Sequence, residues 1–105
     1  MKHSRKWEAR ANGGVCTLKL NGQFDFNCYP EFRSLTEQAL AMDGIGEYLV
    51  DLRDVDYLDS SALGMLLNFN DAVVNQGRRL AVANAHGLAE QILRIANFQK
   101  VVEMR

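Results

Sequence analysis

The chain has 105 residues, 48% of them hydrophobic and 24% charged, which suits one globular domain spanning 1–105 and excludes two domains around a deep cleft. Twelve Lys and Arg against 13 Asp and Glu leave a formal charge of −1, so no basic excess offers affinity for a phosphate backbone and direct nucleic-acid binding is not expected. No apolar run approaches the roughly 20 residues of a membrane span, and cytoplasmic placement is expected.

The stretch "RKWEARANGGVCTLKLNGQFDF" reads as two strands joined at Asn12-Gly13-Gly14, residues that accept the positive φ of a tight turn. Cys16, Leu18 and Leu20 alternate with polar neighbours and are expected to face inward. Cys16 and Cys28 stand outside any CxxC spacing, and neither His3 nor His86 joins them at a zinc-ligand spacing. Two free thiols in a reducing compartment, and neither metal nor cofactor, are expected.

Pro30 fits the first turn of a helix, where its missing N–H would have had no partner. Phe32, Leu35, Ala39 and Met42 then recur on one helical face, and Gly44 and Gly46 are expected to end the helix. "EYLVDL" is a strand, followed by "RDVDYLDSS" as a loop. Residues 61 to about 75 form a helix with Leu63, Leu66, Phe69 and Val73 as its buried stripe, Ala62, Met65 and Ala72 beside it, and Gly77 closing it. "RLAVAN" is a strand, "GLAEQILRIANF" a helix with Leu88, Ile92 and Ile95 inward, and "KVVEM" the final strand. The order ββαβαβαβ implies an α/β fold, with a mixed, mostly parallel sheet and helices packed on it.

Sites in such sheets gather at the carboxyl ends of the parallel strands. There the chain places Ser60 and Ser61 at a helix start, in a stretch from 51 to 59 holding four Asp and one Arg. Asp25, after the second strand, is expected to share that rim and lie close to Ser60. An exposed hydroxyl at a helix N-terminus accepts a phosphoryl group without loss of the helix, because the added charge of about −1.5 to −2 faces unpaired N–H groups. A partner surface docked there would be repelled. Each residue also has a plainer use: Ser60 or Ser61 as N-cap, Asp25 as turn former, Asp54 and Asp56 as solvated loop acids, Gly64 as room for helix-to-sheet packing. Two other classes fit some of the residues. One is a Mg²⁺-dependent receiver phosphorylated on Asp54 or Asp56, which lacks the early carboxylate pair such a site needs. The other is a hydrolase using Ser60 with His86 as base, which lacks a G-x-S-x-G elbow.

The residues "LRDVDYLDSSALGMLL" resemble the signature of STAS domains, in particular the small bacterial anti-sigma factor antagonists. "LNGQFDF" is similar to the family's turn after the second strand, and "NQGRRLAVANAHGLAEQILRIANFQKVVEM" to its last strands and helix. The resemblance covers roughly residues 15 to 104. It implies a non-enzymatic partner switch in which Ser60 is the phosphoacceptor. Asp25 and Asp59 are then its acidic surroundings, Ser61 a neighbouring contact and Gly64 a close-contact position. It further implies an anti-sigma factor that is a serine protein kinase of the ATP-binding GHKL type, and a PP2C-type phosphatase that reverses it. Ala62 stands where the family pattern has Gly, a change that a helix favours, and the common Glu after Gly22 is replaced by Gln23.

Overall fold

A computed structural model of the chain describes residues 7–105; His3 lies outside them. Five strands and three helices follow in the order β1 Glu8–Asn12, β2 Val15–Phe24, α1 Tyr29–Leu40, β3 Glu47–Leu58, α2 Ser60–Asn75, β4 Arg79–Ala83, α3 Gly87–Ile95 and β5 Glu103–Met104. The sheet order is β1-β2-β3-β4-β5, with β1 antiparallel to β2 and every other pair parallel. Each crossover therefore steps the same way across the sheet. Right-handed connections stepping in one direction place their helices on one face, and burial agrees. Leu18, Leu20, Tyr48, Val50 and Leu52 are sealed in the core, while the alternate residues Thr17, Lys19, Leu49 and Asp51 keep solvent contact.

The expected elements are present, with Gly13 and Gly14 both at positive φ between β1 and β2 and Pro30 at the start of α1. Cys16 and Cys28 are buried thiols that form no disulfide. Rings of Trp7, Phe24, Phe32, Phe69 and Tyr48 form a chain through the core, with successive centroids 5.3, 5.1, 6.0 and 5.5 Å apart. Edge and tilted contacts of this kind add to the burial of the rings. At the amino end of β3 the Tyr48 hydroxyl donates to Ala39 O at 2.8 Å and accepts from Arg78 Nη1, while Arg78 Nη2 reaches Met42 O at 3.0 Å.

Several expectations need correction. The acids Asp54 and Asp56 are not in a loop, because β3 continues to Leu58. Its pairing with β2 slips twice, from Lys19↔Asp51 to Asn21↔Asp54 and from Gly22↔Val55 to Gln23↔Tyr57. Each slip inserts an extra β3 residue, so the inward positions after Leu52 are Val55 and Leu58, three apart rather than two. α3 is rotated from the expected face: Ala89 and Leu93 are buried, Ile92 is half-buried, and Leu88 and Ile95 face solvent. In α2 the buried set is Ala62, Met65, Leu66, Phe69 and Val73, with Leu63 only half-buried. α1 stops at Leu40, ahead of both glycines, and β5 is confined to two residues after a 3-10 turn at Phe98–Lys100.

Candidate functional site

β2 and β3 end in register, Phe24 opposite Leu58, so the next residues, Asp25 and Asp59, leave the sheet side by side. The two bulges in β3 bring this about by absorbing its surplus length. Asp59 is the N-cap of α2: its extended backbone turns into the helix and its Oδ1 accepts from Ala62 N at 2.9 Å. Its Oδ2 accepts from Phe26 N at 3.1 Å, and its own N–H donates to Phe24 O at 3.2 Å. Asp25 caps the short 3-10 turn Phe26–Cys28, with Oδ1 accepting from Asn27 N at 3.0 Å. Beneath that turn the buried Cys28 thiol lies 3.3 Å from Gln23 O.

The capping role thus belongs to Asp59. Ser60, the first residue of α2, is exposed, and its hydroxyl has no hydrogen bond to a described residue. Ser61 is half-buried and, with Gly64, lines an open groove of about 620 Å³ whose other walls include Phe26, Tyr29, Pro30 and Met65. The groove is mainly apolar. Phe26 is 70% and Tyr29 49% exposed, so two partly solvated aromatic rings share the groove with Ser61. Sequence reasoning missed this pair; the signal was three aromatic residues crowded into "FDFNCYP", more than one short turn can bury. Gly64 is not there for helix-to-sheet packing. A Cβ built on it meets no heavy atom within 4 Å beyond its own helix, and its φ is not positive.

Asp25, Asp59, Ser60, Ser61 and Gly64 therefore come together on one rim. Asp54, Asp56 and His86, which the two other site readings require, are placed elsewhere. Asp54 and Asp56 extend from exposed positions of β3, and among the described residues no group of three His, Cys, Asp or Glu gathers at metal-binding range. His86 precedes α3, where its Nε2 lies 2.7 Å from Arg53 O. Among the described residues no helix is long and apolar enough to cross a membrane.

Residues 6–105 match the STAS domain. A STAS-domain containing protein of Pseudomonas aeruginosa (strain UCBPP-PA14) is 36% identical over 94 residues, covering 90% of this chain and 91% of the relative. An anti-sigma factor antagonist from Mycobacterium paratuberculosis superposes with a TM-score of 0.84 at 17% identity, over 96% of this chain and 85% of that one. The Bacillus cell fate determinant SpoIIAA in its phosphorylated form gives a TM-score of 0.70 at 13% identity, over 97% and 91% of the two chains. At such identities the two solved structures establish a common fold.

Proposed function

This chain belongs to the STAS domain family, and from that membership we propose that it is a phosphorylation-controlled partner switch, acting by binding rather than catalysis. The observation that carries the reading is the division of labour between adjacent residues. Asp59 satisfies the helix start, which leaves the Ser60 hydroxyl exposed with no structural task. A kinase can reach that oxygen, and the added dianion stays near the helix N-terminus at little cost to the fold. The same charge lands beside the groove bounded by Phe26 and Tyr29 and next to Asp25 and Asp59, where it opposes an acidic or closely fitted partner.

Gly64 supports the reading independently. A helical glycine costs about 1 kcal/mol relative to alanine, and no neighbour within the chain requires it. Open space over its Cα suits close approach by a partner's backbone or side chain. The likeness to antagonists, among them the anti-sigma factor antagonist SpoIIAA, which is also solved in a phosphorylated form, supports the class of partner. In this reading the unmodified chain binds an anti-sigma factor that is itself a GHKL-type serine kinase, frees a sigma factor, and is released when Ser60 is phosphorylated. A PP2C-type phosphatase resets it in the cytoplasm.

The test uses the purified chain as bait, comparing wild type with Ser60→Ala and Ser60→Asp. Wild type and Ser60→Ala should retain a kinase-type regulator that Ser60→Asp does not, and mass spectrometry of the cellular protein should find phosphate on Ser60. Equal retention by all three, together with phosphate on Ser61 or on no residue, would refute it.

A further inference from the structure

We infer that Asp59 is the positioning residue of this surface: its carboxylate holds the Phe26–Cys28 turn against the start of α2 and so fixes the Phe26 wall of the groove. The inference rests on the binding role proposed above, since a wall matters only to something that docks. Its ground is a hydrogen-bond pattern in which one side chain serves two elements. Oδ1 takes the Ala62 N–H inside α2, and Oδ2 takes the Phe26 N–H, 33 positions earlier in the chain.

Phe26 needs such a tie. Its ring is 70% exposed, so burial contributes little to where it stands. The bonds from Asn27 N to Asp25 Oδ1 and from Cys28 N to Asp25 O are internal to the turn; they set its shape and not its distance from α2. Cys28, buried, anchors the far end. Asp59 Oδ2 ties the near end, and hydrogen bonds to an ionised acceptor are roughly twice as strong as neutral ones. Residue 60 is the next in the chain, so the tie and the proposed phosphoacceptor share one helical turn.

A carboxylate is the side chain that can do this. Asparagine caps a helix as well as aspartate does, but one of its two terminal atoms is a donor. With its oxygen on Ala62 N–H, its NH₂ group would face the Phe26 N–H, donor against donor. Serine also caps, through a single short hydroxyl that cannot serve Phe26 as well. Asp59→Asn and Asp59→Ser thus separate the tie from the cap.

The experiment is amide hydrogen exchange by NMR on the full ¹⁵N-labelled chain, with partner retention measured on the same three proteins. Both variants should melt near the wild-type temperature and keep Ala62 protection within about twofold, while Phe26 exchanges about tenfold faster. Retention of the regulator should fall about tenfold alongside, which a purely capping role would not produce. Unchanged Phe26 exchange in both variants would overturn the tie. A freed Phe26 amide with wild-type retention would overturn the positioning role. If the Ser60 variants show no switching, the preceding proposal fails, and the Phe26 amide still decides the tie.

Discussion

At the amino ends of the parallel strands, Tyr48 is fully buried and its hydroxyl is saturated, giving to Ala39 O and receiving from Arg78, which also grips Met42 O. At the carboxyl ends, Phe26 and Tyr29 stand largely in solvent around an open groove, and order comes from backbone N–H groups held by two aspartates. The first end loses stability if a partner of the buried Tyr48 hydroxyl is removed, because a dehydrated group would be left unpaired. The second can exchange its contacts with water or with another protein at low cost. The buried hydrogen bonds sit at one end of the sheet and the proposed binding surface at the other.

The largest effect that would sharpen this contrast is Phe69→Ala. Phe69 touches both Phe32 and Tyr48 and is 3% exposed, so its loss should cost about 3–5 kcal/mol in urea unfolding. A cost under about 1 kcal/mol would break the account of the buried end. Next, Tyr48→Phe strands Ala39 O and an Arg78 N–H and should cost about 1–3 kcal/mol.

That end should also respond to alkali. Burial pushes the Tyr48 hydroxyl above its ordinary value of 10.0, with Arg78 pulling partly the other way, and burial alone raises Cys16 above 9.0. The unfolded chain therefore releases these protons first. Once pH passes about 9, the unfolded state binds fewer protons than the folded one, and stability falls as pH rises. Unfolding midpoints at pH 8 and pH 10.5 should show the decline, and Tyr48→Phe should remove the part that develops above pH 10.

At the carboxyl end the effects on folding are smaller. Asp59→Ala, which loses the cap as well as the tie to Phe26, should cost about 0.5–2 kcal/mol by thermal or urea unfolding. Gly64→Ala should run in the opposite direction, stabilising the chain by about 0.5–1 kcal/mol through helix propensity while reducing partner retention by filling space in the groove. A destabilised Gly64→Ala would mean that the glycine serves internal packing after all. The smallest effect is at Ser60. Because Asp59 is the cap, Ser60→Ala should change folding stability by less than about 0.5 kcal/mol, below the cost that a capping serine would carry. A loss above about 1 kcal/mol would return Ser60 to a structural role.

Where local rules operate, the chain was readable. Asn12-Gly13-Gly14 made a turn because few other residues accept positive φ, Pro30 opened α1, and α2 declared itself by a stripe of apolar residues at helical spacing. The acids and hydroxyls of "DYLDSS" could be placed at a helix start, and the likeness to the STAS signature singled out Ser60 among them. The α3 face could not be fixed. Nine residues hold two competing apolar sets, Leu88 with Ile95 and Ala89 with Leu93, and the set with more apolar surface in total proved to be the exposed one. Which set turned inward depended on the space above β3.

The sequence by itself determined the order of elements, the turn between the first strands and the inward alternation of β2. These follow from backbone sterics and from periodicities of two and 3.6, which act between near neighbours. Only the tertiary structure decided that β3 bulges twice and runs on to Leu58, that Asp59 and not a serine caps α2, and that Phe26 is tied to that cap. Those outcomes depend on which strand lies alongside and which N–H stands within reach. Neither is set by the residues next door in the chain.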